Sequence, residues 1–249
     1  MTKILSINNI SKIYHAKDKE IPALDNITFD VYDEDFIAIV GPSGCGKSTL
    51  LSILNKQEKT SSGNINYYDK TIGYMLQEDA LFEWLTVLDN CLLGLKIRKE
   101  LNDTNKEYVL CLLNKYGLKD FINSYPSSLS GGMRQRVALI RTLALKPDIL
   151  LMDEPFSALD FQTRINISND VFNILKKEKK TLILVTHDIA EAITICNKVL
   201  VLTKRPATIK KAYIINIKGN TPLEKRNTKD FNDYYKEIWR DIEYDTGTY

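Results

Sequence analysis

The run Gly41-Pro42-Ser43-Gly44-Cys45-Gly46-Lys47-Ser48 carries glycines, a lysine and a hydroxyl at the spacing G-x-x-x-x-G-K-S. Glycines let the backbone curl until several N–H groups face one anion, and a following helix adds its positive end. Lys47 is then placed to reach the β- and γ-phosphates of a nucleotide, and the Ser48 hydroxyl to coordinate Mg²⁺. Such a site needs an acid on a neighbouring strand, and Asp153-Glu154 ends the apolar run Ile149-Leu150-Leu151-Met152. Asp153 is positioned to hold Mg²⁺ through its water shell, and Glu154 to draw a proton from an attacking water as general base. Cys45 lies among the loop amides, where they and Lys47 would lower its thiol pKa. Its simplest role is a small residue at a variable loop position, and its alkylation would block nucleotide sterically.

Those groups need a scaffold, which the apolar periodicity outlines. Phe36-Ile37-Ala38-Ile39-Val40 is a continuous apolar run that stops at Gly41, as a buried parallel strand does, and residues 47–55 have helical spacing. Ahead of it, Ile4-Leu5-Ser6-Ile7 and Ile27-Thr28-Phe29-Asp30-Val31 alternate like antiparallel strands, joined by a polar loop through Lys17-Asp18-Lys19-Glu20. Short strands are expected around 65–68 and 72–76. From 86 to about 145 the spacing turns helical, through Val87, Leu88, Cys91, Leu92 and Leu95, then Val109, Leu110 and Leu113. Strand-like runs return at 149–152, 181–185 and 199–202, the pattern of a parallel sheet with crossover helices. The expected fold is α/β: a P-loop NTPase (RecA-like) core with a parallel sheet, a small N-terminal antiparallel β subdomain and an inserted α-helical subdomain. Residues 1–249 then form a single domain, with the β subdomain and core at about 1–77 and 146–217, the insert at about 78–145, and a C-terminal helical tail at about 218–249.

With 44% hydrophobic and 27% charged residues, the composition excludes collagen-like, disordered and disulfide-scaffold classes. A net charge of +2 gives no long-range field toward nucleic acid. The basic run Lys176-Lys177-Glu178-Lys179-Lys180 has no interleaved aromatics and reads as a solvated helix end, so no nucleic-acid partner is expected. The four cysteines (Cys45, Cys91, Cys111, Cys196) and two histidines form no metal pattern, and free thiols in a reducing cytosol are expected. No export signal is visible at the polar N-terminus, and no apolar run approaches the ~18 residues of a membrane span.

Leu129-Ser130-Gly131-Gly132-Met133-Arg134-Gln135-Arg136 adds a second anion-binding pattern, a hydroxyl and two glycines opening a helix. With the phosphate loop, Asp153-Glu154, Ser157-Ala158-Leu159-Asp160 and Thr186-His187-Asp188, it resembles the ordered motif set of ATP-binding cassette ATPases. The resemblance implies a homodimer formed through ATP, in which Ser130, Gly131, Gly132 and Gln135 of one subunit contact the ATP bound to the other. It implies ATP contacts from Tyr14, on which adenine stacks, and from Gly41, Pro42, Ser43, Gly44, Cys45, Gly46, Lys47, Ser48 and Thr49. Lys47, Gln77, Glu154 and His187 become catalytic, and Ser48, Gln77 and Asp153 hold Mg²⁺. Asp160 organises the dimer interface, and it is also suited to cap a helix beginning near Gln162.

The segment 75–90, with Met133, Arg134 and Lys204-Arg205-Pro206-Ala207, resembles the importer branch that serves nitrate, sulfonate, taurine and thiamine-precursor uptake. That branch usually has Pro before the tryptophan and Arg after it, where this chain has Glu83 and Leu85 around Trp84. The branch implies integral membrane permease subunits, a solute-binding protein acting indirectly, and a peripheral position at the cytoplasmic face of the cell membrane. Leu81, Phe82 and Trp84 either line the permease-docking groove or pack inside the insert. An exporter-type or non-transport cassette is the alternative; a P-loop kinase leaves 129–132 unexplained. The stretch after Ala207 is too short for an added regulatory barrel. Phe231, Tyr234, Tyr235, Ile238, Trp239 and Ile242 form a helical stripe, suited to dock on the chain's own core or on a partner.

Overall fold

Alternation along the central strands decides the layers. In β3 (Phe36–Val40), Phe36, Ala38 and Val40 enter one apolar cluster while Ile37 and Ile39 enter another on the opposite face. The strands β6 (Ile149–Asp153), β7 (Thr181–Val185) and β8 (Lys198–Leu202) split in the same way. A computed structural model describes residues 2–16, 19–157, 159–219 and 221–246. In it these strands join β5 (Ile72–Met75) and β9 (Ile209–Ile214) in a six-stranded sheet of order β5-β6-β7-β3-β8-β9, parallel except for the β8–β9 pair.

One face is covered by a three-stranded antiparallel sheet of order β2-β1-β4 and by α1 (Lys47–Leu54). Here β1 spans Lys3–Ala16, β2 Lys19–Tyr32 and β4 Ser62–Asn66. The strands run longer than their apolar runs, because register shifts after Ile7 and Ile10 restart the pairing, and Asn9 takes a left-handed φ of 49°. Lys19 and Glu20 therefore lie in β2 rather than in a loop; Lys17 and Asp18 lie outside the described residues. The strand expected at 65–68 sits earlier, at Ser62–Asn66, because Tyr68 and Asp69 turn through left-handed φ values of 45° and 57°.

The other face carries α2 (Val87–Ile97), α3 (Asp103–Lys115), α4 (Gly131–Leu143), α5 (Phe161–Lys177) and α6 (Ile189–Ile195). The first three follow β5 and precede β6, where the helical periodicity lay. After the short α7 (Pro222–Arg226), α8 (Lys229–Thr246) lays Phe231 and Ile238 into this core, with Tyr234, Tyr235 and Ile242 packed beside them. Trp239 is half exposed and stacks on Tyr235 at 6.2 Å, so most of the aromatic stripe docks on the chain's own core. Among the described residues no helix is long and apolar enough to cross a membrane, and all cysteines are free.

Candidate functional site

The phosphate loop follows β3 and ends at Gly46, whose φ of 129° few side chains adopt. A Cβ there would lie 3.0 Å from Ala23 O and 2.9 Å from Leu24 Cδ2, so β2 presses against the loop. No side chain caps α1 and no acid stands in its first turn, which leaves its amides to an incoming anion. Lys47 is buried and donates from Nζ to Gly41 O (2.9 Å) and Pro42 O (3.0 Å), an ammonium on carbonyls alone. Ser43, Gly44 and Ser48 are exposed, while Pro42 and Thr49 are partly so. Arg205, from the 204–207 segment, donates to Gly44 O at 2.8 Å and braces the loop from outside. Cys45 is buried and its thiol is pushed up, because burial outweighs the pull of Lys47 and the loop amides. The expected lowering is thereby corrected, and the residue is a small core group of the loop.

Asp153 ends β6, which is not adjacent to β3: β7 lies between them. All three parallel strands end on the same edge, which still sets Asp153 beside Ser48. Burial foremost, then the Glu154 charge, raises the Asp153 carboxyl, while Ser48, Tyr74 and Lys47 oppose the rise. Tyr74 approaches Asp153 Oδ2 at 3.4 Å, and its phenol is pushed up to about 12 by burial and by that carboxylate. Glu154 stands in a left-handed conformation, φ 45°, tied by its N–H to Val185 O at 2.8 Å. Its Oε2 lies 2.9 Å from His187 Nδ1. An ionised carboxylate only accepts, so Nδ1 carries the proton of that bond and Nε2 is left for another partner.

Gln77 donates to Ser157 Oγ (3.1 Å), which donates to Glu154 O (3.0 Å), so it reaches the acid loop through Ser157 rather than by direct contact. Asp160 caps α5, accepting from Thr163 N at 3.0 Å, and Thr163, through its side chain first and that N–H second, holds its carboxyl low. Ala158 of the same motif lies outside the described residues. Ser130 caps α4 and accepts from Met133 N at 3.3 Å. Gly131 is exposed, whereas Gly132 is buried where a Cβ would meet Ile167 Cδ1 at 2.7 Å, so its smallness lets α4 and α5 approach. Gln135 is also buried, with Oε1 unpartnered, and supports α4 from inside instead of facing outward with Ser130. Tyr14 is partly exposed on β1 beneath the Lys12 ammonium, 4.8 Å from the ring centre.

The structure thus gathers Lys47, Ser48, Asp153, Glu154 and His187 at one strand edge, with Gln77 tethered beside them. The 130–132 segment lies instead against the turn before α5, Leu159 Cδ2 falling 3.4 Å from a Cβ placed on Gly131. Arg134 of α4 clamps Asp79 with two bonds (2.7 and 3.0 Å) and Glu83 with one (2.8 Å), and Arg141 donates to Asp79 O and Ala80 O. Leu81 is buried in the helical layer, whereas Trp84 is 73% exposed and packs on Phe82 at 5.0 Å. Sequence reasoning missed Arg164 and Glu191. The spacing Asp188-x-x-Glu191 at a helix start was a capping signal that could have drawn attention to them.

A family model described as ABC transporter matches residues 24–157. The uncharacterized ABC transporter ATP-binding protein YtlC of Bacillus subtilis is 42% identical over 96% of this chain and 95% of its own. The aliphatic sulfonates import ATP-binding protein SsuB of Bacillus cereus is 38% identical, with 96% of each chain covered. Among solved structures, the dimeric post-hydrolysis state of the ATP-binding cassette MJ0796 bound to ADP and Pi superposes with a TM-score of 0.71 at 30% identity, covering 85% of this chain and 99% of that one. The chain therefore belongs to the ABC transporter family, as an ATPase cassette of α/β P-loop fold.

Proposed function

We propose that this cassette works as a head-to-tail homodimer that hydrolyses ATP at its interface to power import of a small solute, of the nitrate, sulfonate, taurine or thiamine-precursor kind. A separate membrane permease would carry the solute, with this chain peripheral at the cytoplasmic face of the cell membrane and a solute-binding protein acting indirectly. The observation that carries the reading is Glu154 Oε2 at 2.9 Å from His187 Nδ1, one residue after Asp153 at the end of β6. In this reading the amides of residues 41–49 bind phosphate oxygens, Lys47 exchanges its loop carbonyls for the β- and γ-phosphates, and Tyr14 stacks on adenine. Asp153 and Ser48, hard oxygen donors at the same strand edge, fit Mg²⁺, with Gln77 as the third candidate. Mg²⁺ there supplies charge neutralisation of the phosphates.

Glu154 Oε1 receives the proton of the attacking water, and His187 Nε2 faces the γ-phosphate as it leaves. Ser130, Gly131 and Gly132 of one protomer close over the phosphate held by the other. The exposed Trp84 and Phe82 offer the permease an apolar contact beside Gln77. The whole chain is read as one cassette, with residues 78–145 as an insert and 218–249 as a docked tail.

Glu154→Gln is expected to lower ATP turnover about 100-fold or more while equilibrium ATP binding persists; unchanged turnover removes the role given to Glu154. A tagged chain drawn from gently solubilised host membranes is expected to bring down a polytopic membrane protein. Recovery of ribosomes or nucleic-acid proteins instead would point to a non-transport cassette.

A further inference from the structure

We propose that Arg164 is a positioning residue for hydrolysis, tying the loop after Glu154 to the turn that carries His187 so that the two act as one unit. The inference rests on the reading of Glu154 and His187 given above. Arg164 stands in the first turn of α5, where a cation opposes the helix dipole, so its partners must lie elsewhere. Its Nη2 donates to Leu159 O (3.0 Å) and Ser157 O (3.4 Å), on the loop leading from Glu154 to Asp160. Its Nη1 lies 3.7 Å from Asp188 Oδ2, and its Nε 3.9 Å from Glu191 Oε1.

Those two carboxylates hold both flanks of His187. Glu191 Oε2 accepts from Thr186 Oγ1 at 2.8 Å, and the same hydroxyl accepts from Asp188 N at 3.0 Å. Asp188 caps α6, accepting from Ala190 N (2.7 Å) and Glu191 N (3.2 Å). On the other side, Ser157 Oγ donates to Glu154 O. The circuit closes where Glu154 meets His187. Glu191 is only 6% exposed and Thr186 only 2%, and Arg164 is the cation set beside that carboxyl group, its buried Nε facing Glu191 Oε1 at 3.9 Å without a hydrogen bond. Buried polar groups joined this way respond together rather than singly. Among the described residues Arg164 makes its hydrogen bonds and ion pairs with Ser157, Leu159, Asp188 and Glu191 and none with the phosphate loop, so its effect on ATP is expected to pass through Glu154 and His187.

The test uses the full chain and compares steady-state ATPase and equilibrium ATP binding for Arg164→Ala, His187→Ala and the double variant. Arg164→Ala is expected to lower kcat about tenfold or more, with KM and ATP affinity within about twofold of the parent. Added to His187→Ala, it is expected to cost less than about twofold further, the signature of two residues acting as one. Arg164→Lys is expected to recover little, since one ammonium cannot span two carbonyls and two carboxylates. Should Arg164→Ala not fold, Glu191→Gln keeps the Thr186 bond, removes the charge facing Arg164, and is expected to show a smaller kcat loss with the same non-additivity. Unchanged kcat, a parallel fall in ATP affinity, or losses that multiply fully with His187→Ala would overturn the inference alone. Wild-type turnover in His187→Ala would overturn the reading of His187 and the inference with it.

Discussion

Two helix starts in this molecule look alike in sequence and are completed in opposite ways. At α1 the amides are uncapped, Lys47 is folded onto its own loop, and Asp153, Glu154 and His187 converge from the ends of neighbouring strands. At α4 the Ser130 hydroxyl caps its own helix, and the residues behind it serve packing: Gly132 lies against Ile167 and Gln135 is buried. In the proposed reading the first start has the groups that bind and cut a phosphate chain; the second offers a rim of Ser130 and Gly131 with no acidic residue in its first turn. In the reading proposed above, a protomer holds the reacting half of a site and a separate closing half, and the two complement each other between copies.

The sharpest way to break this contrast is to damage each half. Lys47→Ala is expected to lower kcat/KM about 1000-fold and to abolish detectable ATP binding, since it removes the charge aimed at the phosphates. Ser130→Arg is expected to lower turnover comparably while ATP binding to the single protomer stays within about threefold. If equilibrium binding falls equally in both, the two starts do not differ as described.

Gly132→Ala probes the packing side of α4. Its Cβ would sit 2.7 Å from Ile167 Cδ1, and overpacking of this kind costs about 1–3 kcal/mol. Chemical denaturation is expected to register that loss, and Ile167→Val in the same chain to return part of it. No loss in Gly132→Ala would mean that α4 and α5 yield freely there.

A smaller effect separates the phosphate-loop edge from the rest by pH. Burial, with the Asp188 charge adding to it, pushes the Glu191 carboxyl up to about 7, above the ordinary glutamate range. The folded chain then keeps a proton that the unfolded chain releases, so stability falls as pH rises from the ordinary range toward 7. Between pH 5 and pH 8 the parent is expected to lose on the order of 2 kcal/mol more than Glu191→Gln. Equal losses in the two would place Glu191 in a less buried setting.

Much of the reacting half was legible before any coordinates. Its groups are contiguous runs, Gly41 to Ser48 and Asp153-Glu154, set at the ends of apolar strands whose period of two carries through to the two cores. Strand order was not legible: nothing in periodicity says that β7 enters between β3 and β6, because parallel neighbours are chosen by crossover geometry. The direction of the Cys45 thiol shift was misjudged because nearby charges can be read from sequence whereas burial cannot. Arg164 and Glu191 were not singled out, because only the approach of α5 to α6 turns them inward as partners. Gln135 shows the same gap, since Ser130 and Gly131 of its motif are exposed and it is not.

The most direct test of two complementary halves is the mass of the Glu154→Gln chain by light scattering after gel filtration in ATP and Mg²⁺. The account predicts twice the 28.5 kDa of the single chain with ATP, one chain's mass without it, and a single chain's mass again when Ser130→Arg is added. A single chain's mass in saturating ATP, or a dimer that Ser130→Arg leaves intact, would contradict it.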